Sequence, residues 1–191
     1  MQKITVKQRR LAVRVAEDVL ASIDVLKVKA GFGYIRADYS MEVTRIVHEN
    51  TDSKEQAKQL KRECSVCALG ACVLSLTEMR NKFDFKAFFS MADASMLRER
   101  LKEAFTFDQM VLIERAFECD SSLGLASSYV SLETEVDNFG ERPEAKDVHK
   151  ASADAETFGR KYDDSKKRLA AIMRNIIRNN GEFIPKPQRK R

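Results

Sequence analysis

The chain has 191 residues, of which 43% are hydrophobic and 33% charged, with a formal net charge of +5. That length suits one core with at most a small appendage, and no apolar run approaches the ~18 residues of a membrane span. With no Trp, only 3 Pro and a dominance of Leu, Ala, Lys, Arg and Glu, the composition predicts an all-α fold, a single-domain helical bundle.

The opening residues Met1-Gln2-Lys3-Ile4-Thr5 lead straight into charged sequence and lack the apolar core of a signal peptide. Thr5 and Gln8 stand three apart, the spacing of a capping box, so the first helix is predicted to start at Thr5. Leu11, Val15, Val19, Ile23 and Leu26 recur at helical spacing to about Val28, with Lys7, Arg10 and Arg14 as a basic stripe on another face. Ala30-Gly31-Phe32-Gly33-Tyr34 breaks that helix. It is not a phosphate-binding loop, because no strand precedes it and no Lys-Ser/Thr follows; Phe32, Tyr34 and Tyr39 are expected to anchor it to the core. A short helix over Tyr39 to Glu49 carries Val43, Ile46 and Val47, and Asp52 to Arg62 reads as a polar, helix-prone connector.

The run Cys64-Ser65-Val66-Cys67-Ala68-Leu69-Gly70-Ala71-Cys72-Val73-Leu74-Ser75-Leu76 has the composition of a helix buried on every side. It is predicted to span Ser65 to Met79 and to be the centre of the bundle, with small residues such as Gly70 at a close helix crossing. Phe83, Phe85, Phe88 and Phe89 should cap the core beneath a helix starting near Asp84. Asp93 or Ser95 can cap a helix through Phe105, and Asp108 one ending near Cys119. Ser121 to Phe139 could form another helix. Asn138 to Ala155 turns polar and aperiodic. The last helix is capped by Asp164 or Ser165, buries Leu169, Ile172, Met173, Ile176 and Ile177, and ends at Asn179-Asn180-Gly181. The expected organisation is therefore a helical core over 1–137, an acidic or polar linker over 138–157, a C-terminal helix packing on the core over 158–181, and a basic tail over 182–191.

The segment Cys64 to Ala71 resembles the Cys-Ala-x-Gly-Ala signature of families of small α-helical proteins of unassigned function, many from bacteriophages and actinobacteria. Ile172 to Phe183 is similar to the closing segment of the phage members, and the likeness covers about half the chain in outline. The resemblance implies a helical fold and a phage or mobile-element origin, hence a host-cytoplasmic location. It carries over no catalytic or binding residue.

Two chemistries deserve weighing on the residues themselves. Cys64, Cys67 and Cys72 give C-x2-C-x4-C, like three ligands of a zinc knuckle, but position 77 is Thr77 and the setting is a packed helix rather than a polar loop. No metal and no cofactor is expected. A cysteine nucleophile is the other option: Cys64 or Cys67 in the first turn of the central helix, where the helix dipole lowers a thiol pKa, with His48 or His149 as base. Buried structural thiols are the expected outcome instead. Four cysteines, three of them inside a hydrophobic run, also point to a reducing, cytoplasmic compartment.

Charge is the remaining signal. Residues 1–62 carry 13 Lys/Arg against 8 Asp/Glu, residues 63–157 carry 10 against 18, and residues 158–191 carry 11 against 3. Basic ends thus flank an acidic middle. Lys167, Arg174 and Arg178 share the face opposite the apolar stripe of the last helix and lead toward Arg189, Lys190 and Arg191 in the tail. These six are the candidate partner-binding residues. A non-enzymatic interaction protein follows, with a protein partner or self-association favoured because two charge signs suit complementary surfaces. Nucleic acid is the alternative, and a cysteine-dependent enzyme the second.

Overall fold

The structure, a computed structural model, describes residues 3–30, 34–36, 40–50, 52–91, 94–119 and 144–186, and for 40–42, 91, 94 and 144–149 the backbone alone. The fold is mainly helical. In chain order it runs α1 (Val6–Ala21), β1 (Lys27–Val28), β2 (Ile35–Arg36), α2 (Ser40–Glu49), α3 (Ser53–Glu63), β3 (Ser65–Val66), α4 (Ala68–Arg80), α5 (Phe85–Met91), α6 (Ala94–Leu101), α7 (Phe107–Phe117), α8 (Glu144–Gly159) and α9 (Ser165–Arg178).

Helix α4 is the centre. Every residue from Ala68 to Thr77 is buried, and α3, α1, α6 and α7 all pack on it. An uncharged helix has no face that water prefers, so it lies inside a shell of amphipathic helices. The predicted start at Ser65 is corrected. Ser65–Val66 is a strand, paired parallel to Lys27–Val28 and antiparallel to Ile35–Arg36, in the order β1-β3-β2. The first helix accordingly stops at Ala21, where Ser22 caps it, so Val28 belongs to the sheet. Gly70 does sit at a close approach, but its neighbour is not a helix. A Cβ there would lie 1.8 Å from the Tyr34 carbonyl oxygen, and that carbonyl also accepts the Cys67 N–H at 3.1 Å. The chain entering β2 is pressed against the first turn of α4.

Local signals explain most boundaries. The Thr5–Gln8 capping box is present in both directions, and the Asp164 carboxylate accepts from the Lys167 N–H at 2.7 Å. Helix α7 is capped by Thr106 rather than Asp108, through the Gln109 N–H; Asp108 falls in the first turn, where a negative charge suits the helix dipole. Asp52 to Arg62 is a full core helix that buries Ala57 and Leu60. Phe83, Phe85, Phe88 and Phe89 form a linked ring cluster with centroids 4.8–6.4 Å apart.

The linker expected over 138–157 is overturned from Glu144 onward, because α8 occupies Glu144–Gly159 and packs along α7. Its core side is built of Ala151, Ala155 and Phe158, too small and sparse a stripe to show as periodicity. Gly159 lets the two helices meet, since a Cβ there would lie 1.9 Å from the Ala116 carbonyl oxygen. The helix considered over Ser121 to Phe139 lies outside the described residues. The start of the basic tail is docked: Phe183 is buried, its backbone pairing with the Gln109 amide and that of Ile184 with the Asn175 amide. Arg189, Lys190 and Arg191 lie outside the described residues.

Candidate functional site

The cysteines occupy interior positions. Cys64 is the C-cap of α3, not part of the first turn of α4 as the sequence reading expected, and its side chain is fully buried. Cys67 is the N-cap of α4, and its sulfur accepts the Gly70 N–H at 3.5 Å. The helix terminus should favour a thiolate, yet burial pushes the Cys67 thiol well up, with the Glu118 carboxylate adding to the shift. Burial alone pushes Cys72 up to about 12. This is the opposite direction from an activated nucleophile. Among the described residues no three His, Cys, Asp or Glu side chains converge as a metal shell.

Around Cys67 lies a polar cluster that the sequence did not flag. Tyr34 donates to the Glu114 carboxylate, and Glu114 is pushed up to about 7, first by burial and then by Glu118. Tyr34 is itself raised by burial and by the Glu114 charge. The cluster joins the chain entering β2 to α7 across the start of α4. Among the described residues, the groups acting on Cys67 are Glu118, Glu114 and the backbone of Gly70 and Leu69, with no histidine. His48 is exposed on the last turn of α2 and lines an open groove of about 420 Å³ with Gln56, Asp84 and Lys86. His149 lies on α8, with its side chain outside the described residues.

The basic residues divide sharply. Among the described residues, three cations are buried and tied. Lys61 Nζ reaches Asp18 at 2.6 Å and Glu78 at 2.7 Å. Arg100 binds Glu103 and the Leu76 carbonyl. Arg168, 2% exposed, donates to the carbonyls of Phe117, Gly159 and Tyr162, closing the C-terminal ends of α7 and α8.

The exposed set is different. Lys7, Arg10 and Arg14 on α1, and Lys167, Arg174 and Arg178 on α9, all face solvent. Among the described residues none of the six makes an ion pair or a side-chain hydrogen bond. The two helices pack together and run antiparallel: Arg9 pairs with Glu182 beyond the end of α9, while Lys166 donates to the Asp24 carbonyl beyond the end of α1. Helix α9 contains no acidic residue, and the acids of α1, Glu17 and Asp18, come only near its end. Two stripes of unpaired cations therefore stand on neighbouring helices. Of the candidate partner-binding residues, Lys167, Arg174 and Arg178 belong to them. The sequence showed both stripes but not that the helices carrying them are neighbours.

No family model, no curated protein and no solved structure matches the chain. Among the described residues no helix is long and apolar enough to cross a membrane.

Proposed function

We propose that the chain is a non-enzymatic binding protein that holds an acidic macromolecule against the paired basic stripes of α1 and α9. The observation that supports this is the lack of any partner, among the described residues, for Lys7, Arg10, Arg14, Lys167, Arg174 and Arg178, although other cations of the same two helices are tied. Six like charges on adjacent helices repel one another, and an acidic partner relieves that repulsion and is steered toward it. Around this face the fold is read as one helical bundle built on α4. The phage or mobile-element origin implied by the Cys64 to Ala71 resemblance would make the partner a viral or host macromolecule.

Retention on immobilised heparin, a sulfated polyanion, tests the reading. The wild-type chain should be retained at physiological salt, and a variant with all six cations changed to Gln should flow through while keeping its circular dichroism. A six-fold variant retained as well as the wild type would remove the support.

A further inference from the structure

Resting on that reading, we infer that the acidic macromolecule is double-stranded DNA, gripped by its phosphate backbone without reading of its sequence. The face lacks apolar and aromatic anchors. Protein interfaces draw most of their affinity from apolar and aromatic anchors in desolvated pockets, with charge at the rim. The large hydrophobic residues exposed among the described residues are Val6 and Val25, and neither is an aromatic anchor. Helices α1 and α9 contain no Phe, Tyr or Trp. Single-stranded nucleic acid is held largely by stacking bases on such rings, so the face has nothing to offer it.

The spacing of the cations also suits a duplex. At 1.5 Å rise per residue, Lys167 to Arg178 extends over roughly 16 Å and Lys7 to Arg14 over roughly 10 Å. A DNA duplex presents one negative charge per ~1.7 Å of axis, so on the order of nine phosphates fall within the longer stripe. The cations ride on formed, packed helices, and no backbone has to be ordered to align them. Two neighbouring helices with their side chains are together about 20 Å wide. The major groove is ~12 Å wide, so the pair lies across the backbone instead of entering the groove. The stripes consist of Lys and Arg alone. Duplex RNA is recognised largely through its 2′-hydroxyls and the shape of its minor groove, which favours the DNA duplex for a purely cationic face. Repulsion from the acidic middle of the chain is screened beyond ~8 Å at physiological salt.

Fluorescence anisotropy with the full chain and four labelled probes tests the inference: two 20-bp DNA duplexes of unrelated sequence, a 20-nucleotide single strand, and a 20-residue polyglutamate. The two duplexes should bind within about twofold of each other. Their log K against log salt should fall with a slope of about −5, as expected for six neutralised phosphates at ~0.9 each. Lys167→Gln/Arg174→Gln/Arg178→Gln, with an unchanged melting temperature, should roughly halve that slope. Single strand and polyglutamate should bind at least tenfold more weakly than the duplexes. Polyglutamate or single strand binding as tightly as duplex would overturn the assignment to duplex DNA while leaving acidic-macromolecule binding standing. No binding to any probe would overturn both. A slope unchanged by the triple variant would show that DNA is held elsewhere.

Discussion

Arg168 and Arg174 stand six positions apart on α9 and have opposite surroundings. Arg168 is 2% exposed and spends its donors on three backbone carbonyls at the ends of α7 and α8, whereas Arg174 projects into water. The same contrast separates Lys61, held between Asp18 and Glu78, from Lys7 and Arg14 on the outside of α1. Inward cations complete the fold by satisfying backbone carbonyls at helix ends and by pairing with half-buried carboxylates. Lys7, Arg10, Arg14, Lys167, Arg174 and Arg178 make no side-chain bond within the described residues. Net charge therefore says little about this protein until the cations are divided by what they touch.

The division can be broken from the inside first. Arg168→Met should cost about 3–5 kcal/mol in urea denaturation, because carbonyls at two helix ends lose their donor inside the core. A cost below about 1 kcal/mol would mean that Arg168 is not the closure of α7 and α8. Next comes the close approach at the start of α4. Gly70→Ala should cost about 2–3 kcal/mol, since its methyl would meet the Tyr34 carbonyl and force the chain entering β2 away; an unchanged denaturation midpoint would contradict that geometry.

A smaller effect is expected at Glu114, whose folded value of about 7 stands above the ordinary 4.5. The folded state holds this proton more tightly than the unfolded chain does. The resulting stability is complete below about pH 4.5 and is lost as pH rises through 7. Glu114→Gln keeps a neutral acceptor for Tyr34 and should be more stable than wild type by about 1–2 kcal/mol at pH 8, the full shift being discounted because the residue is only partly buried. At pH 4 the two should melt alike. A difference independent of pH would remove Glu114 as the titrating group. The smallest effect belongs to the outside: each of the six outward cations changed to Gln should alter stability by no more than about 0.5 kcal/mol, as chemical denaturation of the single variants would show.

What could be read from the sequence follows the same line. The buried character of α4, the Thr5 and Asp164 caps, the phenylalanine cluster and the outward position of Lys167, Arg174 and Arg178 all come from local pattern, and the structure has them. The small sheet could not be read, because strands of two residues have no periodicity to display. Helix α8 was hidden by an apolar stripe made mostly of alanine. Glu114, Lys61 and Arg168 look like surface charges in sequence, and only packing supplies the groups that surround them. That the two basic stripes stand on neighbouring helices is likewise tertiary, since α1 and α9 are antiparallel neighbours across more than a hundred residues of chain.

Amine acetylation followed by mass spectrometry, with and without a 20-bp DNA duplex, tests the separation of inner from outer cations most directly. Lys7 and Lys167 should react readily in the free chain and be protected several-fold by the duplex, while Lys61, 4% exposed, should stay slow in both. Lys7 and Lys167 reacting equally with and without DNA, while lysines away from α1 and α9 such as Lys82 and Lys86 become protected, would contradict the account.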